Sequence, residues 1–180
     1  MRKLFLSLVL VLGANTFYAQ SSLFDKFEDQ EGITSVIVNK KMFTLLSKMQ
    51  VKDKQEQQYV NLIKKLENLR VFVTQSDKKA DEMKLVSDKY IKSSALEELM
   101  KINDKGKNVK IYVKSGATES QIKELMMFIE GSGKEETVLM SLLGDFDLNE
   151  LSVLTDKMNL PGGDDLKRAS KGSKGSKAPK

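Results

Sequence analysis

The sequence predicts an α+β domain with a mixed five-stranded sheet, the element order β-α-α-β-α-β-β-β-α, and helices mainly on one face. Runs rich in β-branched or alternating apolar residues indicate the strands. Apolar residues spaced at i, i+3, i+4 and i+7 indicate amphipathic helices. Toward the C-terminal end, three strand-like runs follow one another through short Gly/Ser turns, which predicts an antiparallel meander. Helices on one face are the simplest layer arrangement that buries every apolar face.

Strands and helices alternate in the first half of the predicted domain. Residues 33–38 (ITSVIV) predict the first strand, and residues 69–74 (LRVFVT) predict the second. Two helices are expected between them, and Asp53 with Glu56 is the capping pattern of the second. The apolar face of the first helix is formed by Met42, Leu45, Leu46 and Met49. That of the second is formed by Tyr59, Leu62, Ile63 and Leu66.

A long helix and the meander make up the second half. The helix is predicted from about residue 79 to residue 102, with a bend at a double serine. The meander strands are expected at residues 109–114, 122–129 and 137–143. A last helix over residues 148–158 closes the predicted domain.

Both ends of the chain differ in composition from the middle. Residues 1–19 have a basic start, a short apolar run and a small residue, Ala19, which is the layout of a cleaved secretory signal peptide. Residues 164–180 are basic and of low complexity, which predicts a disordered tail. A single domain is therefore expected over residues 20–163. The protein is expected to be exported, either to the periplasm or beyond it.

The chain contains no cysteine and no histidine. Nucleophile systems that need histidine, the usual zinc sites and an N-terminal lipid anchor on cysteine are therefore excluded. A metal would need oxygen ligands, which favours calcium or magnesium. No cofactor motif is present, and we expect a protein that is not an enzyme.

The formal net charge of +5 comes from the ends of the chain. Six basic residues lie in the last fourteen: Lys167, Arg168, Lys171, Lys174, Lys177 and Lys180. Without these and Arg2 and Lys3, 22 basic residues face 25 acidic ones, a charge of −3. A domain that binds nucleic acid would carry its positive charge on the folded face, so no specific nucleic-acid partner is expected.

Several short motifs occur in an order that resembles a known family. They are a leader ending in Ala-Gln, then FDKF at 24–27, VIV at 36–38 followed by KMF at 41–43, VKIYV at 109–113 and VLMSLLGDFD at 138–147. This set resembles domain of unknown function family 4252, a group of exported envelope proteins of Bacteroidetes, over about residues 1–160. The resemblance implies an envelope location and no established activity, and it supplies no catalytic residues. Some members are lipid-anchored, and this chain departs from them in lacking the cysteine.

The segment Gly144–Asp147 is the sharpest candidate site. Asp145 and Asp147 follow a predicted buried strand, where two carboxylates could bind a divalent cation or act as an acid/base pair. The competing interpretation is structural. Asp147 stands three residues before Glu150, which is helix-capping chemistry, and Gly144 would permit a turn. The structural interpretation is favoured because the alternating oxygen ligands of a calcium loop are missing.

Basic residues define a second candidate surface. Lys110, Tyr112 and Lys114 alternate toward the outer face of one predicted strand, where they could hold an anionic polymer, with solubility as the simpler explanation. The tail residues could bind an anionic lipid or glycan by charge alone. They are Lys167, Arg168, Lys171, Lys174 and Lys177.

Three functions remain open from the sequence. The leading hypothesis is a non-enzymatic envelope protein that regulates or assembles by contact with a partner protein, through an exposed sheet face or an edge strand. The alternative is an adhesive, polymer-binding protein that uses the basic tail. A hydrolase based on Asp145 and Asp147 is the least favoured.

Overall fold

The computed structural model describes residues 22–49, 51, 53–104, 107–118, 120–131, 135–158 and 161–172. The strands are β1 (Thr34–Asn39), β2 (Leu66–Thr74), β3 (Glu97–Asp104), β4 (Lys107–Ser115), β5 (Gln121–Glu130) and β6 (Thr137–Asp147). The helices are α1 (Ser22–Asp25), α2 (Lys40–Leu46), α3 (Lys54–Ile63), α4 (Asp77–Ser94), α5 (Leu151–Met158) and α6 (Gly163–Gly172). A 3₁₀ turn at Leu148–Glu150 leads into α5. The predicted signal peptide lies outside the described residues.

The six strands form one sheet in the order β1-β2-β6-β5-β4-β3, and every neighbouring pair is antiparallel. The α+β class is therefore confirmed, whereas the predicted five strands and mixed pairing are wrong. Two helices lie between β1 and β2, and this connection returns the chain antiparallel to its first strand. None of the described helices is both long enough and apolar enough to span a bilayer.

The extra strand is β3, which occupies part of the predicted long helix. Helix α4 ends at Ala95, whose left-handed backbone (φ 53°) stops it. Beyond that residue, Met100 and Ile102 both pack against the larger of the two hydrophobic clusters, which lies on one face of the sheet. Their spacing of two is that of a strand, whereas Leu96, Leu99 and Met100 are spaced as on one face of the helix predicted to continue to residue 102. The two periodicities overlap in this segment, and pairing with β4 decides between them.

Helices cover both faces of the sheet, so the prediction of helices mainly on one face is wrong. On the first face, α2, α3, α5 and α6 bury a large cluster that includes Phe43, Leu62 and Leu151. On the second face, α1 and α4 bury a smaller cluster. Its members are Phe24, Phe27, Phe72, Met83, Tyr90, Leu96, Met126, Phe128 and Leu139. Strands β5 and β6 are buried on both sides because their apolar runs are continuous and do not alternate.

Aromatic rings and ion pairs fasten α1 and the residues just after it to the second face. The ring of Phe24 lies 4.7 Å from that of Tyr90, and the ring of Phe27 lies 5.6 Å from that of Phe72. Between them, Asp25 forms a 2.8 Å ion pair with Arg70 of β2. The FDKF motif is therefore a structural one, since it supplies the cover for this part of the sheet.

Helix α2 turns a different side toward the core than its spacing predicts. Phe43 is buried and Leu46 packs against the first-face cluster. Met42, Leu45 and Met49, which were predicted to face the core, are exposed. The prediction for the next helix holds, because the side chain of Asp53 accepts a hydrogen bond from the backbone of Glu56 at 2.8 Å and caps α3.

The predicted disordered tail is wrong for residues 164–172, which belong to helix α6. Leu166 and Ala169 are three residues apart and are buried in the first-face cluster. Asp165 is also buried and forms a 2.8 Å ion pair with Lys107. Only two apolar residues anchor this helix. Its sequence therefore has the basic, low-complexity composition that is typical of a disordered tail. Residues 173–180 lie outside the described part of the chain.

Gly144 does not form a turn, as its sequence context predicts, but lies within β6. A Cβ added there would lie 2.5 Å from the carbonyl oxygen of Lys65 and 2.9 Å from the Cα of Leu66. Both contacts are backbone atoms, so they cannot give way as a flexible side chain would. The backbone amide of Asp145 donates to the same Lys65 carbonyl at 3.0 Å. Glycine is needed here because two chain segments approach each other closely.

We therefore expect Gly144→Ala to lower the free energy of unfolding by about 1–3 kcal/mol, as overpacking does elsewhere. Gly116→Ala is the comparison variant, since the three atoms nearest to its added methyl, at 2.9–3.2 Å, all belong to the side chain of Gln121 and none to the backbone. Urea unfolding of both variants measures the difference. Equal stability of the two variants would show that the Lys65 backbone does not limit position 144.

Candidate functional site

The two candidate aspartates lie at the end of β6, beside an open cleft of about 520 Å³. Strand β5 forms one wall of the cleft, and Lys65 approaches from the segment before β2. The lining residues are Lys65, Thr118, Ser120, Gln121, Asp145, Phe146 and Asp147. Both carboxylates thus lie within the last three residues of β6, at the strand end where the sequence placed them.

Asp147 caps the 3₁₀ turn that follows it. Its carboxylate accepts hydrogen bonds from the backbone of Asn149 at 2.8 Å and from the hydroxyl of Ser120 at 2.9 Å. In return, Glu150 accepts from the backbone amide of Asp147 at 3.1 Å, which completes a capping box. Burial alone would raise the pKa of Asp147, but these hydrogen bonds and the charge of Lys65 together lower it. The capping prediction is confirmed.

Asp145 forms a surface ion pair. Its carboxylate lies 2.6 Å from the ammonium of Lys123 and accepts a second hydrogen bond from Gln121. The Lys123 hydrogen bond lowers the pKa of Asp145. A general acid needs a raised pKa at neutral pH, and here both carboxylates are held ionised. Among the described residues, no three Asp, Glu, His or Cys side chains come together in a way that could hold a metal ion.

The surface of Lys110, Tyr112 and Lys114 is not the open sheet face that alternation predicted. All three residues are half-buried, and Tyr112 packs against the second-face cluster. Burial raises the pKa of Tyr112, and the nearby Glu98 carboxylate adds to the effect. The strand alternates as predicted, but helices cover both sides of the sheet.

The basic tail residues fall into two groups. Lys167 and Arg168 lie on α6, where they pair with Asp164 at 3.8 Å and Asp165 at 3.6 Å. Lys171 lies near the end of the same helix. Lys174 and Lys177 lie outside the described residues. The structure therefore does not bring the tail residues together with Lys110, Tyr112 and Lys114 into one described surface.

A buried carboxylate on the second face escaped the sequence analysis. The side chain of Glu124 accepts a 2.6 Å hydrogen bond from the hydroxyl of Tyr90, and both residues are buried. Burial raises the pKa of Glu124 and that of Tyr90. The available signal was a single glutamate within the apolar run of β5. Because the pair is enclosed under α4, we interpret it as a structural contact within the core.

Exposed apolar side chains concentrate around β1, an edge of the sheet. Among the described residues, seven large hydrophobic side chains are exposed, and five of them lie between residues 36 and 49. These five are Val36, Ile37, Met42, Leu45 and Met49. Sequence analysis missed this concentration because it assigned the helical residues to the core. These five residues are the largest group of exposed hydrophobic side chains that are near one another in sequence within the described part of the chain.

The chain matches a protein family. The profile of the Domain of unknown function family (DUF4252) matches residues 27–154, which span β1 to α5 and so include both edges of the sheet. The chain belongs to this family. The resemblance drawn from the short motifs is thereby confirmed. No curated protein and no solved structure matches the chain.

The roles of the two cleft aspartates predict different costs of substitution. We expect Asp147→Ala to lower the free energy of unfolding by about 1–2 kcal/mol, because a cap and its reciprocal hydrogen bond are lost. Asp145→Ala should cost less than Asp147→Ala, since its ion pair with Lys123 is exposed and screened by solvent. Thermal or urea unfolding of both variants makes the comparison. A larger cost at Asp145 would contradict these assignments.

The buried Glu124 predicts a pH-dependent stability difference. Its folded pKa lies above the ordinary value of 4.5, so the folded state keeps this proton to higher pH than the unfolded chain does. The stability that Glu124 contributes is therefore present at low pH and declines as the pH rises above about 4.5. We expect Glu124→Gln to gain stability relative to wild type over that range.

Denaturant unfolding at a series of pH values measures this difference. Glu31→Gln, a neutralisation at an exposed position, controls for the loss of one negative charge. If both variants showed the same pH profile, the assigned burial of Glu124 would be wrong.

Proposed function

We propose that this protein is an exported, non-enzymatic envelope factor that binds a partner polypeptide along edge strand β1. One observation carries the proposal: β1 leaves an edge of the sheet open, with Val36 51% and Ile37 39% exposed. An extended segment of a partner can add to such an edge by backbone hydrogen bonds, and apolar side chains next to the edge give specificity.

The two edges of the sheet differ in how well they are protected. Strand β3 carries exposed charges at Glu97, Glu98 and Lys101, and its register shifts between Glu98 and Met100. Charges and bulges are devices that keep an edge from pairing with another chain. Strand β1 (TSVIVN) has no charged residue and no proline, and it pairs with β2 in unbroken register over all six residues. An edge strand without charges, proline or a bulge can pair with an extended segment of a partner protein.

Other features support the non-enzymatic part of the proposal. The chain has no histidine or cysteine. In the candidate site, Asp147 caps a helical turn and Asp145 forms a surface ion pair. The pKa of each of these two carboxyl groups is lowered. The leader-like composition of residues 1–19 and the expected envelope location of the family support export.

Capture from native envelopes tests the proposal. We expect the wild-type chain to retain one reproducible polypeptide, and Val36→Lys/Ile37→Lys to lose at least about tenfold of it, because lysine blocks pairing at an edge. The matched control is Leu85→Lys/Leu99→Lys, which places the same two charges on exposed apolar residues of α4 and β3. Unfolding midpoints confirm that all three proteins are folded.

The location of the contact is tested separately. A photoreactive residue at position 37 should cross-link the retained polypeptide, and one at position 99 of β3 should not. Equal capture by wild type and the β1 variant, or cross-linking at β3 alone, would contradict the proposal.

A further inference from the structure

We propose that α2 and the turn that follows it form a second docking surface, which binds an anionic lipid surface. Its centre is the α2 stripe, defined as Met42, Leu45 and Met49. These side chains are 48%, 53% and 61% exposed. This inference goes beyond the partner proposed for β1, because it concerns a different element and a different kind of ligand.

The α2 stripe is one continuous surface. Its residues are spaced i, i+3 and i+7, which places them on one side of a helix. Although α2 ends at Leu46, the helical turn continues: the amide of Lys48 donates to Leu45 at 3.1 Å, and that of Met49 donates to Leu46 at 3.2 Å. Three large, exposed apolar side chains thus follow one another from α2 into the tight turn after it.

The position of α2 is fixed by its other side. Phe43 is buried in the first-face cluster, and Leu46 packs against it. The side chain of Asn39 caps the helix by accepting from the backbone of Met42 at 3.1 Å. Because Phe43 and Leu46 already fill the contact with the sheet, the α2 stripe cannot be buried by a simple rotation of the helix. The stripe is therefore preorganised as a surface.

The charge around the α2 stripe indicates what it binds. Lys41 precedes Leu45 by four residues and Lys48 follows it by three, so both exposed lysines border the stripe. Neither forms an ion pair with another described residue. The sequence from residue 40 to residue 52 contains four lysines and no acidic residue.

Apolar side chains bordered by lysines complement an anionic membrane surface. The apolar side chains enter the boundary between headgroups and acyl chains, while the lysines reach the phosphates. A partner that met this surface with apolar side chains alone would leave the lysines without counter-charges. The charge pattern therefore favours lipid over an apolar protein surface.

The absence of tryptophan from the chain makes a local test possible. The full chain carrying Leu45→Trp is mixed with vesicles of phosphatidylcholine and phosphatidylglycerol. We expect its fluorescence to shift to shorter wavelength and to be quenched by lipids brominated in the acyl chains. Leu85→Trp, at an apolar position that is even more exposed (72%) and lies on α4 over the opposite face of the sheet, should show neither effect. Adding Lys41→Glu/Lys48→Glu to Leu45→Trp should raise the lipid needed for half-maximal shift at least about tenfold.

The readout separates this surface from the basic tail and from β1. If the protein sediments with vesicles while the Leu45→Trp fluorescence is unchanged, only another part of the chain binds lipid and the proposal is overturned. An equal shift in Leu85→Trp, or dimer formation without vesicle binding, overturns it as well. Should Leu45→Trp fail to fold, Met49→Trp reports on the same stripe from outside the helix. Since no partner polypeptide is present, the result is independent of the function proposed for β1.

Discussion

Burial of the central strands on both sides is the constraint from which the rest of this structure follows. In β6, Leu139 faces the second-face cluster while its neighbour Met140 faces the first, and β5 divides Met126 and Met127 in the same way. A sheet with two apolar faces must be covered twice. Within the described residues, α2, α3, α5 and α6 cover one face, and α1 and α4 cover the other. The aromatic contacts of Phe24 and Phe27 are what hold that thinner second layer in place.

The cover is incomplete over β1, where Val38 packs against the first-face cluster but Val36 and Ile37 are exposed. Helix α4 packs over β2, β5 and β6, and α2 reaches the first face through Phe43 and Leu46 alone. The exposed apolar side chains therefore collect at one margin of the domain, where an edge strand and a short helix follow each other in sequence. At the opposite margin, β3 has charges and a register shift instead. This asymmetry is the physical basis for assigning a partner to β1 and a lipid surface to the α2 stripe. The two surfaces adjoin along the chain, so a membrane-bound protein would present its open strand near the bilayer.

Much of the fold could be predicted from the sequence because several elements carry unambiguous patterns. β4 alternates cleanly, and Asp53 and Asp147 cap their helical segments as their spacing to Glu56 and Glu150 predicts. One failure arises because the spacing of apolar residues does not say which side of a helix meets the core. In α2 the buried residue is Phe43, one position away from the predicted face.

Tertiary contacts also determined whether a segment became a helix or a strand where the pattern of apolar residues was ambiguous or weak. Met100 and Ile102 became part of a strand because β4 offered a pairing edge. Leu166 anchors α6 although the surrounding composition is that of a tail. The candidate aspartates were located correctly, and Asp147 was rightly interpreted as a cap. Glu124 was missed because its partner, Tyr90, is 34 residues away in the chain.

The central claim is that β1 is the open edge of this sheet and takes a partner strand. Residue-resolved amide hydrogen exchange tests it most directly, with the protein alone and with the polypeptide retained from native envelopes. The account predicts that the partner slows exchange at the outward-facing amides of β1 and leaves those of β3 unchanged. Slowing confined to β3, or no change at either edge when the partner is bound, would contradict it.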